Sequence, residues 1–194
     1  MIGIKQLVAL NIKSKIIIVA TSLFEAKGIN ACGIDAIINE SGVARATLYR
    51  HFPTKNQLII AFLRSKADSF FEWLSNGLVN NENKPYDKMI ELCNLMEEWI
   101  TTPNFKGLPF HIGTIEFPEF DHPVNQFSAT LAKELQDFFT EFARQTGAKD
   151  PVGLSQQIIM LFEGAALVER VSPGTNAAAR AKDAAIIIIK ATLK

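Results

Sequence analysis

The sequence predicts an all-α chain: an N-terminal group of three short helices containing a helix-turn-helix, then a larger helical domain, about nine helices in all. Three observations carry this. Apolar residues recur at helical spacing along most of the 194 residues, and no sustained alternation suggests a sheet. Glycine, proline and capping residues punctuate the chain where helices would start and stop. Residues 41–55 read as a tight turn, one short helix, a break and the start of another helix.

Ile16, Val19, Ala20, Leu23 and Phe24 fall at i, i+3, i+4, i+7 and i+8, the apolar stripe of a first helix that Gly28 ends. A second helix follows over about 34–40 and stops at Ser41-Gly42. A third runs over about 44–51 and stops before Pro53. Thr54 and Gln57 match a capping box, and the helix they open meets no breaker until Gly77. Residues 80–84 are a polar linker, and a helix over about 86–100 ends at Thr102-Pro103. The stretch 103–123 holds four prolines and two glycines, so it is irregular, with at most a short helix near 110–116. Asp121 is placed to cap a long helix to about 146, with Gly147 as its stop. Asp150-Pro151 puts a capping carboxylate before a first-turn proline and opens a helix to about 171. Ser172-Pro173-Gly174 breaks the chain, and an Ala/Ile-rich helix over about 176–193 closes it.

An apolar fraction of 48% is ample for a core, and 21% charged residues suits a soluble protein. The 20 basic and 20 acidic residues cancel, but they are not evenly spread. Residues 1–60 carry Lys5, Lys13, Lys15, Lys27, Arg45, Arg50 and Lys55 against Glu25, Asp35 and Glu40, while acids outnumber bases in the remainder. A basic first third on an acidic remainder suits a phosphate-binding module joined to a part that does not touch nucleic acid. Cys32 and Cys93 lie far apart and form no disulfide framework, which fits a reducing compartment. No run approaches the ~20 apolar residues of a membrane span. Lys13 and Lys15 interrupt the N-terminal apolar run before it becomes a signal-peptide core, so the expected location is the cytoplasm, with no membrane partner.

Residues 13–60 resemble the DNA-binding domain of the TetR (tetracycline-repressor) family of bacterial transcriptional regulators. That family's pattern is a basic residue, an apolar helix ending in Phe, a Gly, an Ile-centred second helix, and then Gly-Val-x-x-x-Thr-Leu-Tyr-x-His-Phe-x-x-Lys. Here Lys13, Ile16, Ala20, Phe24, Gly28, Ile37, Gly42, Val43, Thr47, Leu48, Tyr49, His51, Phe52 and Lys55 stand in those places. Gly107-Leu108-Pro109-Phe110, Glu116-Phe117-Pro118 and Gly164-Ala165 look like the helical effector domain of one branch of the family. Cys32 and Gly33 stand where the family usually has Thr or Ser, Ala44 where a Ser cap is common, and Leu108 where related proteins often carry Cys. The resemblance implies a DNA-binding domain over 1–60 and an effector-binding and dimerisation domain over 61–194. It implies a homodimeric regulator, a repressor released from a double-stranded operator by a small-molecule effector, with no cofactor, no metal and no enzymatic activity.

The residues expected at DNA are Arg45, Ala46, Thr47, Tyr49, Arg50, His51 and Lys55. Arg45 opens the third helix, where a cation opposes the helix dipole, so helix stability does not account for it. It is either a solvated surface residue or a base reader, since an arginine on guanine is the commonest specific contact. Ala46 and Thr47 can meet a thymine methyl or a phosphate. Tyr49 either packs structurally or presents its hydroxyl to a phosphate, and the resemblance favours the second. His51 either caps its helix or reaches phosphate, and Leu48 and Phe52 are core. Lys55, again against a helix dipole, suits an external anion.

The aromatic-rich middle of the chain holds Trp73, Met96, Trp99, Phe105, Phe110, His111, Phe117 and Phe120. Each is singly a core residue by default. As a set they could line an apolar pocket, Trp73, Met96, Trp99 and Phe110 foremost, with His111 and Glu116 as polar handles. The spacing of His111, Glu116, Asp121 and His122 matches no metal-ligand pattern. The last two helices are apolar on more than one face, which a monomer does not easily bury. Gly164, Ala165, Val168, Ala181, Ala185 and Ile188 are therefore the expected dimer contacts, in a four-helix bundle. Two other readings compete: a helical enzyme around His111 and Glu116, for which no nucleophile–base pair or phosphate loop speaks, and a scaffold whose helix-turn-helix meets protein.

Overall fold

The computed structural model describes residues 11–79, 84–103 and 105–192, and among them nine helices and no strand. Lys5, most of the linker expected at 80–84, and Leu193 lie outside the described residues. Helix α1 (Ile12–Lys27) is capped by Asn11, whose Oδ1 accepts from the Ser14 N–H at 2.8 Å, and it buries Ile16, Ala20 and Phe24 on one stripe. Helices α2 (Ile34–Ser41) and α3 (Arg45–His51) follow, and neither N-cap residue, Gly33 or Ala44, supplies a side-chain cap. The turn between them rests on Gly42, whose φ of 65° is left-handed backbone that side chains beyond Cβ disfavour. Leu48 is the one fully buried residue of α3, so this short helix is held by a single anchor and leaves its other faces to solvent.

Thr54 caps α4 (Lys55–Val79) by accepting from the Gln57 N–H. The helix does not stop at Gly77. A Cβ there would lie 2.6 Å from Leu95 Cδ2 of α5 (Pro85–Ile100), so the glycine serves close packing rather than termination. A short α6 (Pro109–Glu116) lies within the proline-rich stretch. Its Gly113 faces α7 (Pro123–Gln145) so closely that a Cβ would sit 2.0 Å from Ser128 Oγ. The cap of α7 is His122, not Asp121: Nδ1 accepts from the Val124 N–H at 3.3 Å, and Pro123 fills the first helical position. Asp150 caps α8 (Pro151–Val171) through the Gly153 N–H at 2.8 Å, and α9 (Ala177–Thr192) ends the described chain.

One continuous core runs through the molecule, from Ile16 and Phe24 near the N-terminus to Ala185 and Ile189 near the C-terminus. Helix α4 is its spine, packing against α1, α5, α6 and α7. It crosses the boundary expected between residues 60 and 61 without a break, so the three-helix head and the helical body share one rod. Cys32 and Cys93 are both buried free thiols, and burial pushes Cys93 up to about 12.

A two-toothed ion pair fixes α7 to this spine. Arg64 Nη1 and Nη2 donate to Glu134 at 2.7 and 2.6 Å, and the guanidinium lies over the Phe127 ring at 5.2 Å. The hydrogen bonds from Arg64 hold the Glu134 carboxyl below its usual range. A depressed folded-state pKa stabilises above the unfolded value, and that stability is lost as pH falls through the folded value. Glu134→Gln is therefore expected to cost about 1 kcal/mol at neutral pH, because the pair is one-third exposed and partly screened. The gap between parent and variant should close as pH falls through the carboxylate range, which chemical denaturation at a series of pH values reads directly. A gap that persists in acid would mean the loss is one of packing.

Candidate nucleic-acid interface and ligand cavity

Leu48 points inward, so α3 turns Arg45, Ala46, Tyr49 and Arg50 outward as exposed residues, with Thr47 and His51 half-buried at the flanks. Helical geometry makes this arrangement unavoidable: a seven-residue helix anchored by one leucine presents most of its surface. Tyr49 is 39% exposed, on the surface that α3 presents. Arg45 is ion-paired with Asp35 of α2, so the two helices of the motif are tied across their outer ends. Both side chains are largely exposed, and such a pair is worth at most about 1 kcal/mol, an amount that a bidentate contact to a base readily replaces. Lys13 of α1 lies over the Phe52 ring at 5.9 Å and adds a cation beside the end of α3. Lys55 is not free at the surface: Nζ donates to the Ile29 carbonyl at 2.9 Å and pins the α1–α2 turn to the start of α4.

The same turn is held from the other side. Asn30 Nδ2 donates to the Glu116 carbonyl at 3.1 Å and to Glu116 Oε2 at 2.8 Å, which joins the head to the end of α6. Glu25 and Lys66 form a further pair at 2.6 Å, and Phe24 meets Phe62 edge-on with ring centres 5.3 Å apart. Between these contacts opens a cavity of about 520 Å³. Its walls come from the end of α1 (Phe24, Glu25, Gly28, Ile29), from α4 (Phe62, Lys66), from the end of α5 (Trp99, Thr102), from residues 105–107, from α6 (Pro109, Ile112, Ile115, Glu116) and from Arg170 of α8. That volume lies in the range of small-molecule sites. The cavity sits on the seam between head and body, and both contribute to it.

Known proteins share this design. Residues 16–62 match the family model described as bacterial regulatory proteins, tetR family. The chain is 27% identical over 139 residues to the HTH-type transcriptional regulator LmrA of Bacillus subtilis, covering 71% of this chain and 74% of LmrA. It is 24% identical over 155 residues to IcaR of Staphylococcus aureus, described as a biofilm operon icaADBC HTH-type negative transcriptional regulator, covering 77% of this chain and 79% of IcaR. The crystal structure of a TetR-family transcriptional regulator from Streptomyces coelicolor superposes with a TM-score of 0.83 at 25% identity, over 94% of this chain and 96% of that one. Reduced NemR of Escherichia coli shares the fold, with a TM-score of 0.79 at 14% identity, over 92% of this chain and 97% of that one.

Residues 16–62 are a TetR-family DNA-binding domain.

Within this TetR-family fold, the residues expected to form a pocket separate into two groups. Trp99, Phe105 and Glu116 border the cavity. Trp73, Met96, Phe110, His111, Phe117 and Phe120 do not. Trp73 packs on Trp99 with ring centres 5.1 Å apart, Met96 is buried in the core, and Phe110 meets His111 edge-on at 4.7 Å. Burial, then the charge of Arg170, holds His111 below its ordinary pKa. His111 and Glu116, the pair that an enzymatic reading would need, thus do not line one site. Among the cavity residues that the sequence did not point to are Phe24, Gly28, Ile29, Phe62, Lys66, Lys106 and Arg170. Several of them read as ordinary helix-core residues, and no local pattern distinguishes a core phenylalanine from one that borders a cavity.

The expected dimer contacts also divide. Gly164 and Val168 are exposed, and a Cβ on Gly164 would meet nothing within 4 Å. Ala165, Ala181 and Ala185 are instead buried within the protomer, at 5%, 6% and 0% exposure, because α8 and α9 pack extensively against each other. Ile188 is half-buried against the same core. The outward stripe of α8 is Met160, Gly164, Leu167, Val168 and Val171, joined by Ile187 of α9. Helix α8 is also the one described helix long and apolar enough by composition to cross a membrane, yet Leu154, Ile158, Phe162 and Ala166 of its inner face are built into the core.

Proposed function

We propose that this protein is a homodimeric repressor that grips a two-fold-symmetric DNA operator with α3 of each protomer and leaves it when a small molecule fills the seam cavity. The observation that carries this reading is the pairing of an outward-facing α3, secured only by Leu48, with a cavity whose walls come from both the head and the body. A ligand lodged there touches Gly28 and Ile29 on one side and α6 on the other, so it acts on the angle of the head without a long relay. Residues 1–60 form the DNA-binding unit and 61–194 the effector-binding and dimerisation unit, with α4 running through both. The outward stripe of α8 together with Ile187 forms the dimer face, since five exposed apolar or small positions along one helix suit burial against a second copy. IcaR is named a negative regulator, and repression is the mode we assign to this chain as well. A regulator of this kind works at the chromosome, hence in the bacterial cytoplasm.

Within this reading, Arg45 reads a base, Tyr49 and Arg50 meet phosphate, and Ala46, Thr47 and His51 border the groove. Lys55 acts chiefly by positioning, through its bond to Ile29. Arg45→Ala is expected to relax base preference at one position of each half-site, at a cost of roughly 1–3 kcal/mol there. Tyr49→Phe should weaken binding about equally for all sequences. Selection from a random DNA library followed by titration at several salt concentrations tests both. The same motif from Arg45→Ala and parent would remove Arg45 from base reading, and binding without a steep salt dependence would remove DNA as the partner.

A further inference from the structure

We infer that the seam cavity is built for a small organic anion, a carboxylate on an apolar aromatic or branched body. The inference deepens the ligand-responsive reading above by assigning the chemical class of its effector. Five charged side chains border the cavity, and they are not equally engaged. Glu25 is neutralised by Lys66 at 2.6 Å. Glu116 accepts from Asn30 at 2.8 Å. Lys106 and Arg170 have no carboxylate within ion-pair distance among the described residues. Arg170 instead donates to the Lys106 carbonyl at 3.3 Å, so the two cationic residues stand side by side at one end of the cavity. The Arg170 guanidinium also lies near enough to His111 to oppose its protonation, after burial does.

The remaining walls are mostly apolar, with Phe24, Phe62, Trp99, Phe105, Ile112 and Ile115 prominent among them. A ligand that fills such a space without a negative group leaves the two cations unpaired. A cation would add a third like charge beside them. A carboxylate satisfies both, and the guanidinium fork matches its two oxygens. Carboxylate recognition thus places one polar contact at the Arg170 end and leaves the body of the ligand among the rings, the division of labour that small-molecule sites generally show.

The test is calorimetric titration of the full-length protein at neutral pH, without DNA, with 2-naphthoate, 2-naphthamide and 2-naphthylmethylamine, which share a ring system and are respectively anionic, neutral and cationic. 2-Naphthoate should bind, and the neutral amide and the amine should bind roughly tenfold or more weakly, the usual margin of a charge-assisted contact. Arg170 is exposed, so Arg170→Gln should fold normally and lose roughly the same factor for 2-naphthoate. Arg144→Gln, on α7 and paired with Glu141, is the control and should bind like the parent. Absence of 2-naphthoate binding, equal affinity for acid and amide, or an unchanged affinity in Arg170→Gln would each overturn the assignment. Because no DNA is present, these failures are separate from failure of the operator-binding reading, which the library selection tests.

Discussion

Leu167→Arg is expected to leave the protomer folded and to abolish the dimer. Leu167 is 57% exposed at the centre of the outward stripe of α8, between Gly164 and Val171. In a protomer alone an arginine there meets water and costs little. In a dimer closed through this face, two-fold symmetry brings the substituted stripe against its own copy, and burial of unpaired charge between close helices is strongly unfavourable. Arg170 and Arg180, both exposed, add like charge nearby in sequence or on the adjoining helix. Sedimentation should therefore report a monomer with unchanged helical circular dichroism. Operator affinity should fall by roughly 10²–10⁴, the amount that linking two half-site contacts ordinarily adds. Ala165→Arg makes the contrast. Ala165 lies inside the protomer at 5% exposure, so that variant should lose folding and dimer together. A Leu167→Arg protein that sediments as a normal dimer would place the interface on another surface.

Phe62→Ala should destabilise the protein by about 3–5 kcal/mol and lower Tm by roughly 10 °C. The side chain is 1% exposed, meets Phe24 of α1 edge-on, and forms part of the cavity wall. Its removal withdraws an aromatic contact between the head and the spine and joins new empty volume to an existing cavity, so the surroundings have little reason to collapse inward. Phe120 is the internal comparison. It is equally aromatic but 90% exposed, and Phe120→Ala should change stability by less than about 0.5 kcal/mol. Thermal melts of the two variants decide the matter, since similar losses in both would mean that burial does not govern either position. Phe62→Ala should also weaken operator binding beyond what its population of folded protein explains, because the head would then be tied to the body chiefly by the polar contacts of Glu25 and Asn30.

In the mechanism proposed above, the cavity's position supplies an economical lever. In a head joined to its body only through α4, a ligand in the body would have to move a 25-residue helix to be felt at DNA. Here the α1–α2 turn is itself a wall. Lys55 holds Ile29 from below and Glu116 holds Asn30 from the side, so displacement of α6 bears on the turn that sets the tilt of α2 and α3.

Much of this architecture was legible residue by residue. Thr54 and Asp150 cap helices as short polar side chains do, Gly42 turns the chain between α2 and α3, and Pro151 opens α8. These signals are local: each depends on backbone groups within a few residues, so sequence determines them almost alone. The exposed side chains of α3 are equally local in origin, because one leucine anchor on a short helix dictates what faces out. Where local signals competed, tertiary contacts chose. His122 caps α7 in place of Asp121, stacked on Phe117 with ring centres 4.4 Å apart, and Gly77 stays helical because Leu95 fills the space beside it. Two features were decided only by the assembled structure. On α8 and α9, which are apolar nearly all round, periodicity marks no single inward face, so the burial of Ala165 and Ala185 and the exposure of Leu167 follow from how the two helices pack. The cavity draws together side chains as distant in sequence as Phe24 and Arg170, and the bond that closes its seam joins Asn30 to Glu116, 86 residues apart. Sequence periodicity records that a side chain is buried; it carries no record of which distant side chain it is buried against, and a site made of such meetings exists only once the helices have packed.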